Sequence, residues 1–317
     1  MPPLQRHRPD RRLRRRAQWR ASELSERAVR ALILEALLTP KPALVDQRGP
    51  GAHRDLDLAK LLRSARALRS TFHGMALDAG SSAADVRLRE RLGALGRRGE
   101  RAMLEATGGS NAHRGAIWVL GLLVAALALL GGDSSPCEVA AAAAALARLP
   151  DRHAPQLPSN GARACREFGV AGARGEAAAG FPHVIEVGLP ALAAARSRGA
   201  GEACARIDAL LAIMSSLDDT CLLHRGGWAA VHAARSGARG VLALGGSATA
   251  AGAAALLALD AELIRRNASP GGCADLLAAC LLLDGESQER AADEARTTLA
   301  VGRHGPRYLE NRHSWNA

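Results

Sequence analysis

Four short polar islands interrupt an otherwise Ala- and Leu-rich chain, and each holds residue types that bind cations or phosphates. The first is Gly51-Ala52-His53-Arg54-Asp55-Leu56-Asp57, and the second is Gly108-Gly109-Ser110-Asn111-Ala112-His113-Arg114-Gly115. The third runs from Leu217 through Asp218, Asp219, Thr220, His224 and Arg225 to Gly227. The fourth is Ser269-Pro270-Gly271-Gly272-Cys273-Ala274-Asp275. Carboxylates and imidazoles carried into an apolar core are costly unless paired or metal-bound. Four such islands in one chain point to one shared polar site that takes a metal and phosphates.

Asp218 and Asp219 carry the strongest signal. They follow Ile207, Leu210, Leu211, Ile213, Met214 and Leu217, so two acids there need a cation or basic partners. A surface helix end with a charge pair to Arg225 is the plainer alternative. Asp55 and Asp57 stand at a loop-to-helix junction. They are either Mg²⁺ ligands, since Mg²⁺ takes one or two carboxylates plus phosphate oxygens, or a cap and an acid favoured by the helix dipole. Asp55 is the expected cap. Asn111 and His113 open the most apolar helix, whose free N–H groups can hold an anion. Gly108-Gly109 before them lets backbone approach a ligand. A cap Asn with an exposed His is the alternative there. Ser269-Pro270 opens the last helix with proline at the favoured first position. Gly271 and Gly272 cost that helix stability but expose amides to a phosphate, and Asp275 follows within the first turns. No phosphate-loop, dinucleotide or zinc motif occurs beside them. The residues by themselves suggest Mg²⁺-assisted handling of a polyphosphate.

The elements that position these islands are read as helices. Aromatic residues make up 3 % of 317, and Ala, Leu, Arg and Glu dominate, which favours helix over strand. The expectation is an all-α protein, one large multi-helix domain with buried Ala/Leu-rich helices. Residues 1–20 hold eight arginines against one aspartate, so most of the net charge of +11 sits in that stretch. It is expected to be a disordered arm, with a helical catalytic domain over 21–301 and a polar tail over 302–317. Helices are expected from about 22 to 36, 56 to 76, 85 to 106, 111 to 130 and 139 to 149. Further ones run from 202 to about 224, closed by Gly226-Gly227, from 247 to 266, and from 270 to 283. Glu35 lies one turn before the Thr39-Pro40-Lys41-Pro42 stop, within reach of the loop that follows. The uncharged runs Gly115–Gly132 and Gly240–Leu259 read as buried core helices rather than membrane spans. Six cysteines form no C-x-x-C pair, and the basic start lacks the apolar segment of a secretory signal, so a reducing cytoplasm is expected. The core lacks the interleaved basic and aromatic residues of a single-strand reader, which argues against a nucleic-acid partner.

Taken in order, these segments resemble the triphosphoribosyl-dephospho-CoA synthase family from about residue 24 to 285. The resemblance runs through Thr39-Pro40-Lys41-Pro42, Gly51–Asp57, Asn111–Gly115, Gly172-Ala173-Arg174-Gly175-Glu176-Ala177 and Gly180-Phe181-Pro182. It continues through Gly188-Leu189-Pro190, Asp218–Gly227 and Asn267–Asp275. Ser216-Leu217-Asp218-Asp219-Thr220 with Leu189-Pro190-Ala191-Leu192 looks most like the malonate decarboxylase branch rather than the citrate lyase branch. Three features depart from the pattern: Ala43 where glycine is frequent, Ala112 and Arg114 where Thr and Lys are common, and the Arg-rich arm.

The resemblance implies a glycosyl transfer. The 5-triphosphoribosyl group of ATP would move to the 2′-hydroxyl of 3′-dephospho-CoA, with inversion at the anomeric carbon and loss of adenine. The product would pass to a phosphoribosyl-dephospho-CoA transferase and an acyl carrier protein. On that reading Asp218 and Asp219, with Asp55, Asp57 and Asp275, hold Mg²⁺ on the triphosphate. One of these carboxylates or Glu176 takes the hydroxyl proton. Lys41, Arg174 and Arg225 bind phosphates, while Asn111, His113, Ser269, Gly271 and Gly272 orient ribose or phosphate. A helical Mg²⁺-dependent hydrolase of ADP-ribose-type glycosides is the alternative.

Overall fold

The computed structural model describes residues 11–155 and 159–284, and it is built of helices joined by short loops. These are α1 (Arg11–Leu37), α2 (Leu58–Ala67), α3 (Arg69–Ala79), α4 (Val86–Thr107), α5 (Arg114–Leu130), α6 (Pro136–Arg148) and α7 (Asn160–Phe168). After them come α8 (Gly172–Ala178), a π-helical turn (His183–Gly188), α9 (Leu189–Ser197), α10 (Glu202–Met214), α11 (Thr220–Ala243), α12 (Ala250–Arg265) and α13 (Gly271–Leu283). There is no strand among the described residues, only an isolated bridge between Asp46 and Gly49.

Local chemistry sets the helix starts. Asp57, Asp85, Ser135, Ser159, Asp219 and Thr249 each accept a hydrogen bond from a first-turn N–H of α2, α4, α6, α7, α11 and α12 respectively, which satisfies an amide that the helix leaves unpaired. The cap of α2 is therefore Asp57, not Asp55. α5 is the central element. From Ala116 to Ala128 only Trp118 escapes burial, and the helix packs on α3, α6 and α13. Its apolar character is thus that of a core helix, and no single helix among the described residues is long and apolar enough to cross a membrane.

Several expectations change. The helix of α1 begins at Arg11, so residues 11–20 are not a disordered arm. Arginine favours helix, and Arg20 anchors the segment by donating to the Leu127 carbonyl at 3.0 Å. Residues 1–10 and both the end of the expected domain and the tail, 285–317, lie outside the described residues. The uncharged run at 240–259 is not a buried helix: it is split between α11 and α12, and α12 buries only Gly252, Leu256, Leu259 and Leu263. The helix expected over 202–224 breaks after Met214, and Gly226-Gly227 bends α11 instead of ending a helix, with Gly227 at φ 59°. Arg235 returns to bond Asp218 at 2.6 Å. Seventeen residues of straight helix would hold those two about 25 Å apart, so the bend folds α11 back past its own start.

The 38–57 loop is fixed from inside. Lys41, 1 % exposed, donates to the Glu35 carboxylate at 2.6 Å and to its carbonyl at 2.7 Å. Ala43 donates to Asp260 at 2.7 Å and accepts from the Ala52 N–H at 2.9 Å. It does so in left-handed backbone, at φ 56°, which explains why glycine suits this position. A side chain there costs about 1–2 kcal/mol, against the larger unfolded-state freedom of glycine. Ala43→Gly is expected to raise the unfolding free energy by about 0.5–1 kcal/mol, read from the midpoint of urea denaturation.

Candidate active site

The four islands meet. Asp219, 1 % exposed, places one carboxylate oxygen on the Cys221 N–H at 2.7 Å and the other on the Cys273 N–H at 2.9 Å. One side chain thereby joins the starts of α11 and α13. The approach needs glycine. A Cβ on Gly272 would lie 3.1 Å from the Asp219 carboxylate, and one on Gly271 would lie 3.0 Å from the Cys221 sulfur. The two glycines therefore serve close packing. The Gly271 N–H turns to the Ser269 carbonyl at 3.0 Å, that of Gly272 bonds the Cys221 sulfur, and that of Cys273 goes to Asp219. The expected amide cradle for a phosphate is occupied by the protein's own groups.

Asp275 sits one turn into α13 and meets the start of α5. A Cβ on Gly115 would fall 1.9 Å from its carboxylate oxygen, and the Ala116 N–H bonds it. Burial first, then the charges of Asp219 and Glu35, hold the Asp275 carboxyl well above the usual carboxylate range. Burial also raises Asp219, against the opposing effect of its backbone hydrogen bonds. Burial and the neighbouring Asp219 push both the Cys221 and Cys273 thiols up, so neither is a thiolate nucleophile. One buried and one partly buried carboxylate thus stand where three helix starts, those of α5, α11 and α13, present their positive ends.

Two histidines border this space. His113 is buried, with Nδ1 2.7 Å from the Ser64 hydroxyl and Nε2 without a protein partner. Burial, with the Lys41 charge, lowers its pKa to about 4. His53 joins the first island to the third and fourth. Arg225 donates to its Nδ1 at 3.1 Å, and its Nε2 lies 2.9 Å from the Ser269 hydroxyl. Burial and the Arg225 charge lower His53 to about 4 as well. An Arg donor on Nδ1 fixes the proton on Nε2, so His53 donates to Ser269 and is no base for it. Ser269 is directed as a donor, not as a nucleophile.

The other expected residues are placed differently. Asp218 is half-exposed and paired with Arg235, which the α11 bend brings back to it. Asp57 is used as a cap, and Asp55 is 60 % exposed, 3.9 Å from His53. The five expected carboxylates do not gather, and among the described residues no three His, Cys, Asp or Glu side chains could hold a metal together. Lys41 is closed off in its pair with Glu35 and does not face a phosphate. Asn111 is exposed and caps the Arg114 N–H at 3.2 Å. Arg174 lies over the Trp118 ring at 5.9 Å, with Arg89 over the same ring at 5.0 Å. Glu176 is buried and bonded to His183. His53, Ser64 and the reach of Glu35 to Asp275 complete the centre. His53 stood in the middle of the first island, so its residue type and position were available as a signal. Ser64 carries none, being one small polar residue on an amphipathic helix.

A family model described as ATP:dephospho-CoA triphosphoribosyl transferase matches residues 21–294. A Klebsiella pneumoniae protein named 2-(5''-triphosphoribosyl)-3'-dephosphocoenzyme-A synthase is 56 % identical over 268 residues, covering 84 % of this chain and 96 % of its own. Proteins from Stutzerimonas stutzeri and Azotobacter vinelandii, each named "Probable 2-(5''-triphosphoribosyl)-3'-dephosphocoenzyme-A synthase", are also 56 % identical. They cover 85 % and 83 % of this chain, and 93 % and 91 % of their own lengths. No solved structure matches. With its islands gathered in one buried centre and this model spanning nearly all of its described residues, the chain belongs to the ATP:dephospho-CoA triphosphoribosyl transferase family.

Proposed function

We propose that this chain moves the 5-triphosphoribosyl group of ATP onto the 2′-hydroxyl of 3′-dephospho-CoA and releases adenine. The observation that carries the reading is the meeting of the islands in a chain of this family: three at Asp219 and Asp275, and the first beside them through His53, Arg225 and Ser269. The transition state of such a transfer is oxocarbenium-like, and positive charge gathers at the anomeric carbon. The carboxylates of buried Asp219 and partly buried Asp275 favour a cation there. The hydrolase alternative is dropped, because the matching family transfers to dephospho-CoA.

Asp219 and Asp275 also suit Mg²⁺. Their carboxyls are raised by burial, and that of Asp275 by the charge of Asp219 as well, which a divalent cation offsets. Mg²⁺ needs only one or two carboxylates when phosphates complete its shell. Bound there, it would neutralise the triphosphate and orient it. Arg225 and the Ser269 hydroxyl face the same space and serve phosphate or ribose. Arg174 on the Trp118 ring and Asn111 at the start of α5 stand at the rim for the same groups. Both histidines are neutral at working pH, so they contribute hydrogen bonds without adding charge. The product serves the malonate decarboxylase carrier protein, by way of a phosphoribosyl-dephospho-CoA transferase. The wording of 216–220 and 189–192 supports that branch. A cytoplasmic location belongs to the same proposal, and the free thiols beside the centre support it.

Mass spectrometry of a reaction holding ATP, Mg²⁺ and 3′-dephospho-CoA is expected to show the triphosphoribosyl adduct with one adenine released per adduct. Adenine release that ignores dephospho-CoA would sink the transfer reading. Asp219→Asn and Asp275→Asn are each expected to lower kcat by about 10²-fold or more, whereas Asp218→Asn stays within about fivefold of the parent. Steady-state adenine release distinguishes the two groups. His113 titrates near 4 when folded and near 6.5 when unfolded. The unfolded chain therefore takes up its proton first, and the stability His113 contributes above pH 6.5 is lost as pH falls towards 4. Relative to His113→Gln, the parent is expected to lose about 1.4 kcal/mol per pH unit across that window, measured by urea unfolding at a series of pH values.

A further inference from the structure

Glu176 has a partner that the metal and phosphate roles do not use. Its carboxylate, 8 % exposed, accepts from the His183 ring Nδ1 at 2.8 Å with one oxygen and from the His183 backbone N–H at 2.9 Å with the other. Both oxygens are thus committed to one residue. The arrangement fixes the proton of His183 on Nδ1 and leaves Nε2 as a free acceptor. His183 is about one-fifth exposed, and its Nε2 has no protein partner among the described residues. This is the geometry of a carboxylate-oriented base.

The dyad is tied to the centre through α8. A Cβ on Gly172, which opens α8, would lie 3.2 Å from the side chain of Thr220, the residue after Asp219. The Trp118 indole N–H, on α5 one turn beyond Gly115, donates to the Ala173 carbonyl at 3.1 Å. The first turn of α8 is therefore held against two of the three helices whose starts form the centre, α5 and α11. Glu176 follows one helical turn later, about 5–6 Å along the axis. Phe181, in left-handed backbone at φ 55° and fully buried, then turns the chain so that His183 comes back over Glu176. A structural pair at a tight turn would need one hydrogen bond. Here one oxygen of a buried carboxylate orients the imidazole, while the other fixes the backbone N–H of the same residue.

We propose that His183 is the general base for the transfer and that Glu176 is its positioning residue. This rests on the transfer reading above. In the step, the 2′-oxygen of dephospho-CoA bonds to the anomeric carbon of ATP as the carbon–N9 bond breaks. The bonding pair leaves with adenine, and the hydroxyl proton passes to Nε2 of His183. The resulting imidazolium is stabilised by the Glu176 carboxylate 2.8 Å from Nδ1. The proton returns through solvent to the departed adenine, so the cycle closes without a net proton.

The test uses the full chain with ATP, Mg²⁺ and 3′-dephospho-CoA. It compares the parent with His183→Ala, His183→Gln and Glu176→Gln by adenine release and product mass. Both His183 variants are expected to lose about 10²–10⁴-fold in kcat, with the KM of each substrate little changed. Free imidazole is expected to restore part of the His183→Ala rate but none of the Glu176→Gln rate, which falls by a smaller factor. His183→Gln keeps a donor for Glu176 and so guards against simple loss of fold. The base assignment is overturned if either His183 variant turns over within about threefold of the parent. It is equally overturned if the loss is in KM alone, or if imidazole fails to rescue a folded His183→Ala. If the parent itself gives no triphosphoribosyl adduct, the transfer reading fails instead, and the two failures are told apart by that control.

Discussion

A single buried carboxylate, Asp219, determines how the centre is assembled. Its two oxygens accept from the first turns of α11 and α13, so two helices start where one side chain allows. Burying a charge without partners costs several kcal/mol, and the cost is met here by backbone N–H groups at helix ends, where negative charge is favoured. Everything nearby conforms to that choice. Gly271 and Gly272 keep α13 close enough, Gly115 admits Asp275, and the thiols of Cys221 and Cys273 stay protonated. The Lys41–Glu35 pair sets a positive and a negative group behind His113 and Asp275, and the loop that carries Lys41 delivers His53 to Arg225 and Ser269.

The helical class and the meeting of the islands were legible in the sequence for simple reasons. Low aromatic and β-branched content excluded strands, and polar residues beside apolar runs needed common partners. The reach of Glu35 into the next loop was also readable, from its spacing to the proline stop. Direction was not. Asp218 and Asp219 are adjacent and alike on paper, yet one faces Arg235 outside and the other is sealed within. Only the bend at Gly226-Gly227, which brings Arg235 back, decides between them. Gly271 and Gly272 looked like exposed amides because sequence shows a missing side chain but not what fills the space. Lys41 looked like a phosphate ligand because its burial depends on α1 being present behind it. Residues 11–20 looked like a tail because charge density masked a strong helix propensity.

The two halves of the proposed chemistry sit on different supports. The proposed metal and phosphate handling would rest on helix starts, which are positively polarised. The proposed proton acceptor is held by a short helix and a π-helical turn, with Glu176 rather than a helix dipole fixing its orientation. This division lets a group that must change charge during turnover stand apart from groups whose charge must stay fixed.

α5 links the core to the chemistry mechanically. Its body is packed on all sides, with Gly121 so close to α3 that a Cβ would lie 2.8 Å from the Met75 sulfur. Its first turn, six residues earlier, is where Asp275 is received. A close-packed helix moves as a rod rather than bending locally. Any repacking around Met75 therefore reaches Gly115 as a displacement of the whole first turn. For anyone engineering this protein, the α3–α5 seam is thus a tuning surface for the active centre, and cavity-filling substitutions there trade rigidity against register at Asp275.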